Sequence, residues 1–269
     1  MQPMLRIALQ AARDAGQIVE RAFRDVERVV VERKSPNDFV TAVDRAAERA
    51  IVDALKARYP KHRFIGEEFG AHGPKDAEYE WLIDPLDGTT NFIRGIPQFA
   101  VSLACRYRGK LEHAVVYDPL KREEYCGSRG EGATLNGRRI RVSGRKALAG
   151  SLLATGIPFT AATLRYIDGY QALSKALLGQ GTAGIRRPGA AALDLAYLAA
   201  GRFDGFWEMN LKPWDIAAGV LLIREAGGLV GDLSGGETYM KNGNLLCGTP
   251  KVYQQMLPLV REFLGEEVG

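Results

Sequence analysis

The sequence predicts a mixed fold in which an α+β first half, built on an antiparallel sheet, is followed by an α/β second half. Two amphipathic helical segments come first, and several strand-like segments with tight turns follow them. After about Gly150, short apolar strands alternate with helices, which is typical of α/β proteins. With 269 residues, 46% of them apolar, the chain can form one large domain or two modest ones with proper cores.

The first half is expected to begin with two helices and to continue with antiparallel strands. Apolar residues recur at helical spacing over residues 4–23, and Thr41 with Asp44 forms a capping pattern at the start of a second helix. Asn136-Gly137 is typical of a tight hairpin turn. The expected elements are helices at 4–23 and about 41–59, and strands at 99–107, 111–117 and from 124 onward.

The second half is expected to alternate strands with helices. Its strands are the short segments SLLATG, FDGFWE, GLVGD and LLCG, and its helices lie near 161–178, 190–201, 213–226 and at the end of the sequence. The pattern changes at residues 143–150, which contain glycine. We therefore expect one compact unit with a first part, 1–145, and a second part, 146–269.

Composition narrows the possible functions. The net charge of +4 is a mild excess spread along the chain, and the densest basic stretch, residues 136–146, favours a solvated hairpin over a nucleic-acid surface because it contains no aromatic residue. The odd number and wide spacing of Cys105, Cys126 and Cys247 favour reduced cytosolic thiols over a disulfide framework or a zinc cluster. Neither a signal-peptide pattern nor a stretch of about 18 apolar residues is present, which predicts a cytoplasmic protein without a membrane segment.

The segment WLIDPLDGTTNF, residues 81–92, is the first candidate for a functional site. Its apolar start predicts the end of a buried strand, so Asp84 and Asp87 are expected at the sheet edge where such proteins bind ligands. Gly88 and the two threonines then offer backbone N–H groups at a helix start, which can bind an anion. Asp-Pro and Asp-Gly pairs also form ordinary turns, so the segment alone is equally consistent with a plain strand-turn-helix connection. Two carboxylates beside an anion site repel the anion unless a cation lies between them, which indicates a metal ion.

Other acidic residues also follow the ends of strands or begin helices. Glu67 and Glu68 follow a short strand in RFIGEEFG, and Asp215 lies in the first turn of a helix in NLKPWDIAAG. Taken singly, a solvated loop is the better explanation for the two glutamates, and an acid that complements the helix dipole is a strong explanation for Asp215. Together, the acidic ends and the absence of a histidine ligand motif describe a site for a hard cation with oxygen ligands, and magnesium is favoured. Two such ions could hold the attacking and leaving oxygens of a phosphate ester.

Three motifs, FIGEE, WLIDPLDGTTNF and PWDIAAGVLLIREAGG, resemble the inositol monophosphatase family of magnesium-dependent, lithium-sensitive phosphatases in their order and separation. SPNDFVTAVD and RRPGAAALDLAYLAAGRFDGFWE also look like family signatures, closest to the bacterial members, so the resemblance covers nearly the whole chain. It implies a layered αβαβα sandwich, a homodimer, and hydrolysis of a small phosphate monoester, with inositol monophosphate as the first candidate substrate.

The resemblance further implies a set of metal ligands. Glu67, Asp84 and the backbone carbonyl of Leu86 would hold a first magnesium ion. Asp84, Asp87 and Asp215 would hold a second one, where lithium would act. Asp84 would then bridge the two ions.

Catalytic and phosphate-binding roles follow from the same resemblance. Thr89 would act with Glu67 to orient and deprotonate the attacking water, and Asp44 would hold Thr89 in place. The backbone N–H groups of Gly88 and Thr89 would bind the phosphate oxygens. The alternative for Thr89 is that it merely caps the helix after Gly88.

Substrate contacts are implied at Glu208, Ala190 and Ala191, together with Asp87 and Asp215. For the two alanines, plain packing at a helix N-terminus is an equally good explanation. Some family members have a serine in the loop where this sequence reads IPF, residues 157–159, which weakens the case for myo-inositol phosphate.

Two alternatives to an inositol phosphatase remain open. One is a phosphatase of the same fold that acts on fructose bisphosphate, a nucleotide 3'-phosphate or NADP. The other is a protein that binds RNA or the transcription apparatus and retains the phosphatase activity.

Overall fold

The computed structural model describes residues 1–29, 31–35, 38–160 and 163–265. Its helices are α1 Pro3–Phe23, α2 Ala42–Arg58, α3 Thr89–Ile93, α4 Ile167–Gly179, α5 Ala191–Ala199, α6 Pro213–Glu225, α7 Tyr239–Asn242 and α8 Pro250–Leu264. Its strands are β1 Val31–Ser35, β2 Asp38–Thr41, β3 Arg63–Gly66, β4 Gly70–His72, β5 Tyr79–Asp87, β6 Ala100–Tyr107, β7 Lys110–Asp118, β8 Glu123–Ser128, β9 Gly132–Leu135, β10 Arg138–Arg139, β11 Leu152–Thr155, β12 Gly184–Arg186, β13 Gly205–Glu208, β14 Leu229–Gly231 and β15 Leu245–Gly248. Short 3₁₀ turns lie at Val26–Arg28 and Leu164–Tyr166.

The strands of the described residues form two large sheets and one hairpin. β1 and β2 form the hairpin. The larger sheet has eight strands in the order β10-β9-β8-β7-β6-β5-β3-β4, and the smaller has five in the order β12-β11-β13-β15-β14. In the larger sheet every pair is antiparallel except β3 with β5, whereas β11 pairs in parallel with both of its neighbours. The antiparallel sheet predicted for the first half is confirmed, with one parallel pair inside it.

Apolar side chains build a core on each face of the larger sheet. In β5, Trp81 and Ile83 pack with residues of α1 and α2, whereas Leu82 packs with residues of α5 and α6, because successive side chains of a strand point to opposite faces. A third cluster joins α4 and α8 to the smaller sheet through Trp207 and Leu246. This order of helices, sheet, helices, sheet and helices confirms the layered αβαβα sandwich.

The middle helical layer joins the two parts of the chain. Leu195 of α5 and Leu222 of α6 share one buried cluster with Leu82 of β5 and Val116 of β7. Side chains from before and after residue 146 therefore bury one another. The division of the chain near residue 145 stays a prediction.

Several local predictions are confirmed. Thr41 caps α2, where its hydroxyl accepts the Val43 N–H at 3.1 Å while Asp44 Oδ2 accepts the Thr41 N–H at 2.9 Å. Asn136 and Gly137 form the turn between β9 and β10 with φ angles of 50° and 76°. Both features depend on residues within three positions of each other in the sequence, and so the sequence alone could reveal them.

Other predictions differ from the structure. The helix predicted from residue 161 begins with a 3₁₀ turn at Leu164 and becomes α-helical at Ile167, while residues 161 and 162 lie outside the described residues. The strands β1 and β12 were not predicted. Neither VERKS nor GIR shows the apolar alternation that marks a half-buried strand.

Cys105, Cys126 and Cys247 are buried and free. Of the helices in the described ranges, none combines enough length with enough apolar character to cross a bilayer.

His62 lies in an aromatic stack at one end of the larger sheet. Its ring stacks between Tyr59 and Tyr79, with centroid distances of 4.7 Å on both sides. The Trp81 Nε1–H donates to His62 Nδ1 at 3.1 Å, so this nitrogen must be unprotonated. Burial lowers the pKa of His62 below its usual value. The neutral ring is therefore part of the folded structure.

We predict that His62 contributes to acid destabilisation. Since its pKa is lower in the folded state, the stability contributed by the neutral ring is fully present above the unfolded-state pKa of about 6.5 and is lost as the pH falls below that value. In His62→Asn the amide oxygen can still accept the Trp81 N–H and does not titrate. Between about pH 7 and about pH 5 its urea midpoint should fall less than that of the wild type.

The matched control is His72→Asn, because His72 is exposed on β4. It should keep the wild-type pH dependence. Equal loss of stability in the wild type and in His62→Asn would contradict the prediction.

Candidate active site

Strand β5 ends in a bulge that carries two of the predicted metal ligands. Its pairing with β6 shifts register between Asp84 and Asp87. Inside the bulge, the Leu86 N–H donates to Asp84 Oδ1 at 3.0 Å. Asp84, Leu86 and Asp87 all line one cavity of about 230 Å³. The bulge therefore presents two carboxylates to the same space.

Gly88 connects this bulge to α3. Its φ is 95°, and a Cβ there would lie 2.9 Å from the Gln98 carbonyl oxygen, so the turn has room only for glycine. Thr89 and Thr90 follow in the first turn of α3 and line the cavity with Gly88. Backbone N–H groups in a first helical turn lack intrahelical acceptors, so an anion can bind on this side of the cavity.

The Thr89 hydroxyl lies between two acceptors. Its Oγ1 is 3.2 Å from Asp44 Oδ1 and 3.1 Å from the Leu86 carbonyl oxygen, and its single proton serves one of them at a time. Asp44 is buried, and its other carboxylate oxygen accepts both the N–H and the hydroxyl of Thr41. Burial raises the pKa of Asp44, against the effect of these hydrogen bonds.

The alternative that Thr89 caps α3 is wrong. Gly88 occupies the N-cap position, and no side-chain cap bond is made there by any described residue. The Thr89 hydroxyl instead points to Asp44 and Leu86.

Asp87 and Asp215 both accept backbone N–H groups at helix starts. Asp87 Oδ2 accepts the Ala192 N–H at the start of α5 at 2.8 Å, and Asp215 Oδ2 accepts the Lys212 N–H before α6 at 2.7 Å. Both carboxylates also line the cavity. Asp215 therefore bonds the N-terminus of its own helix, as the helix-terminal explanation expects, and it also lines the cavity.

Glu67 approaches the cavity from a neighbouring strand. It directly follows β3, and its N–H donates to the Ile83 carbonyl oxygen of β5 at 3.2 Å. Because β3 and β5 are parallel neighbours, their ends lie at the same edge of the sheet. Glu67 thus lines the cavity with the β5 carboxylates.

The carboxylates raise one another's pKa. Burial is the main cause for Asp84 and Asp215, whose pKa values lie well above the usual range, and the charges of the neighbouring acids add to it. Burial likewise raises the pKa of Asp87 to about 7, although the Ala192 N–H counteracts it. So much negative charge in one cavity favours a bound cation.

The substrate side of the cavity contains Glu208, Ala190 and Ala191. Burial and the charge of Asp87 raise the pKa of Glu208 to about 8. A Cβ on Gly156 would lie 1.8 Å from Glu208 Oε1, so the missing side chain makes room for this carboxylate. The two alanines are also buried at the start of α5, and the packing explanation therefore applies to them as well.

Sequence reasoning missed two residues that shape the cavity. Arg187 is the basic residue among the described cavity-lining residues, and its guanidinium lies 5.5 Å from the centroid of the Phe159 ring, which also lines the cavity. The Asn91 amide nitrogen lies 2.8 Å from the Gln98 carbonyl oxygen and 2.9 Å from that of Pro188, which ties α3 to the segment carrying Arg187. Their closeness to the recognised motifs could have indicated them, since Arg187 directly precedes PGAAA and Asn91 directly follows DGTT.

The oxygen donors that line the cavity are of the kind that suits a hard cation. Glu67, Asp84, Asp87, Asp215 and the Leu86 carbonyl offer oxygen donors of the kind that Mg²⁺ prefers. As they stand, no three His, Cys, Asp or Glu side chains of the described residues form a group that could hold a metal ion. The residues fit Mg²⁺ in their chemistry.

Fold and site together define a class, the layered αβαβα proteins with an acidic cavity beside a helix N-terminus. The chain belongs to the inositol monophosphatase family, whose sequence model matches residues 1–264. This confirms the family resemblance of the motifs.

Individual relatives cover the chain almost completely. "Nus factor SuhB" of Pseudomonas aeruginosa is 53% identical over 98% of this chain and 98% of its own length. The crystal structure of extragenic suppressor protein suhB from Bartonella henselae has a TM-score of 0.93 at 40% identity, covering 97% of this chain and 99% of that chain. The Thermotoga maritima IMPase has a TM-score of 0.88 at 34% identity over the full length of both chains.

We predict that Asp87→Asn separates cation binding from folding. The asparagine oxygen can still accept the Ala192 N–H, and one of several mutually repelling charges is removed, so the melting temperature in a chelator should be unchanged or higher. The rise in melting temperature on adding Mg²⁺ should shrink, with a loss in affinity of at least about tenfold. Thermal melts over a Mg²⁺ titration measure both quantities.

Asp53→Asn is the matched control for this experiment, because Asp53 is an exposed acid on α2. It should respond to Mg²⁺ as the wild type does. A full Mg²⁺ response in Asp87→Asn would remove Asp87 from the ligand set.

Proposed function

We propose that this protein is a magnesium-dependent phosphatase that hydrolyses a small phosphate monoester, with inositol monophosphate as the first candidate substrate. One observation supports it above all. Four predicted carboxylate ligands and the first turn of α3 line the same cavity of about 230 Å³, in a member of the inositol monophosphatase family. A carboxylate cluster facing helix N–H groups suits a cation that in turn binds a phosphate.

Two sets of residues would hold the magnesium ions. Glu67, Asp84 and the Leu86 carbonyl would hold the first, and Asp84, Asp87 and Asp215 the second. Bound magnesium would supply an activated water and neutralise charge on the phosphate oxygens. Lithium would compete at the second position.

Thr89, Glu67 and Asp44 would prepare the attacking water. When the Thr89 hydroxyl donates its proton to Asp44 Oδ1, its lone pairs remain free to accept a hydrogen bond from water. Glu67 would orient that water from the other side and take its proton. With the Leu86 carbonyl used as a ligand, Asp44 is left as the acceptor for Thr89, which fixes the direction of this hydroxyl.

The phosphate and the alcohol would bind on opposite sides of the cavity. The N–H groups of Gly88 and Thr89 would hold phosphate oxygens. Glu208 and the start of α5 at Ala190 and Ala191, together with the second metal's carboxylates, would contact the alcohol. The loop 157–159, in which some family members have a serine, places the exposed Phe159 beside the cavity, so a substrate panel must also include fructose bisphosphate, a nucleotide 3'-phosphate and NADP.

A second candidate function is association with the transcription apparatus, in addition to hydrolysis. It is supported by the name Nus factor carried by the Pseudomonas aeruginosa relative. Co-sedimentation with RNA polymerase tests it, and Asp87→Asn distinguishes the functions because binding should survive the loss of the cation site. We also propose a homodimer, and a cytoplasmic location in which the three buried thiols stay reduced.

The phosphatase proposal predicts metal-dependent phosphate release. With Mg²⁺, the protein should release phosphate from at least one sugar, inositol or nucleotide phosphate, and a chelator or added lithium should lower the rate. The measurement is a phosphate-release assay over the panel, with metal content checked by elemental analysis. Full turnover in metal-free protein would refute the proposal.

Thr89→Ala tests the role of the hydroxyl. Losing the group that orients the water should lower turnover about 10²- to 10⁴-fold. Magnesium affinity should stay unchanged, because no ligand is removed. Thr89→Ser is the matched control, since it keeps a hydroxyl within reach of Asp44 and should retain most of the activity. Near-normal turnover in Thr89→Ala would reject the catalytic role.

A further inference from the structure

Glu48 is an acid that the proposed chemistry does not use, yet it is completely buried. It lies on α2, one turn after Asp44. Its Oε2 accepts the Glu68 N–H at 2.8 Å, and its Oε1 accepts the Phe69 N–H at 3.0 Å. Both oxygens of one buried carboxylate thus bind consecutive backbone N–H groups, about twenty residues away in the sequence.

Gly66 provides an independent sign that this contact is built into the fold. A Cβ on Gly66 would lie 1.9 Å from Glu48 Oε1 and 2.3 Å from its Cδ. The φ of Gly66 is not positive, so backbone conformation does not require glycine there. Glycine is required because the Glu48 carboxylate occupies the space that a side chain would fill.

These contacts surround Glu67. Before it, Gly66 belongs to β3 and pairs with Ile83 of β5. The N–H of Glu67 itself donates to the Ile83 carbonyl oxygen at 3.2 Å. The next two N–H groups along the chain donate to Glu48. The backbone on both sides of Glu67 is therefore fixed, whereas its side chain faces the cavity.

We propose that Glu48 is a positioning residue, whose bonds to the Glu68 and Phe69 N–H groups set the direction in which Glu67 faces the metal and the water. We call these two bonds the Glu48 latch. A carboxylate suits the task because both of its oxygens accept, and hydrogen bonds to a charged acceptor are strong. A glutamine has one acceptor oxygen and would turn its NH₂ group toward the second N–H. This role rests on the proposed function of Glu67.

The variants to compare are Glu48→Gln and Glu48→Asp. The first keeps the size and loses one acceptor, and the second keeps the charge but is one methylene too short to reach both N–H groups. Should one of them fail to fold, the other still tests the latch. Asp53→Asn is the control, because it removes an exposed acid from the same helix.

The first measurement needs no activity. Hydrogen exchange of the Glu68 and Phe69 amides is followed by NMR in metal-free protein. Both amides should exchange at least about tenfold faster in the Glu48 variants than in the wild type or in Asp53→Asn. Unchanged protection of these amides in a folded Glu48 variant would overturn the proposal.

The second measurement asks whether Glu48 acts through Glu67. Mg²⁺ binding is measured by calorimetry for the wild type, Glu48→Gln, Glu67→Gln and the double variant. Glu48→Gln should weaken Mg²⁺ binding about 10- to 100-fold. In the Glu67→Gln background it should add little, because the residue that it positions is already lost.

The outcomes distinguish the two proposals. Equal Mg²⁺ affinity in the wild type and Glu48→Gln, or a full additional loss in the Glu67→Gln background, would overturn the latch alone. A wild type that binds no Mg²⁺ would overturn the proposed function and, with it, the positioning role. Faster amide exchange together with a loss of affinity that requires Glu67 would support the latch.

Discussion

The electrostatic repulsion among the cavity carboxylates is the constraint on which the rest of the site depends. Burial and mutual repulsion raise the pKa of Asp84 and Asp215 well above the usual range, and burial raises those of Asp87 and Glu208 to about 7 and about 8. Backbone donors counteract this, since Asp84 accepts the Leu86 N–H, Asp87 the Ala192 N–H and Asp215 the Lys212 N–H. Such bonds hold the carboxylates in place but do not neutralise them. Protonation of the acids or a bound cation can compensate for the remaining negative charge.

The repulsion among the carboxylates explains why the site lies at the N-termini of the middle helices, α5 and α6. Asp87 lies on the larger sheet but accepts an N–H from α5, and Asp215 lies at the start of α6, whose apolar face packs on the same sheet. Helix N-termini carry partial positive charge, so directing α5 and α6 toward the end of β5 lowers the cost of placing acids there. The αβαβα order therefore brings two helix starts to one strand end, and the packing of these helices fixes the distances between acids from both halves of the chain.

The sequence revealed those parts of the fold and site that depend on neighbouring residues. The Thr41–Asp44 cap, the Asn136-Gly137 turn and the acids of β5 all belong to short motifs in which spacing determines geometry. The place of Arg187 in the cavity could not be predicted in this way, because it depends on how separate loops pack. For Asp215, the sequence offered a helix-terminal role and a ligand role as alternatives, whereas the structure shows that one carboxylate can bond its helix and face the cavity.

Burial distinguishes Glu48 from the many acids of amphipathic helices in a way that sequence does not. In the sequence, it is one more charged residue of α2, four positions after Asp44. It is buried only because two N–H groups from a distant turn meet its carboxylate and Gly66 leaves room for it. Residues four apart lie on one face of a helix. This face of α2 therefore contacts Thr89 through Asp44, and it contacts the backbone that follows Glu67 through Glu48. Thr89 and Glu67, the two groups proposed to act on the attacking water, are thus both positioned by contacts with α2. A shift of α2 would displace them together, and their relative geometry depends on the packing of α2 as much as on the cavity itself.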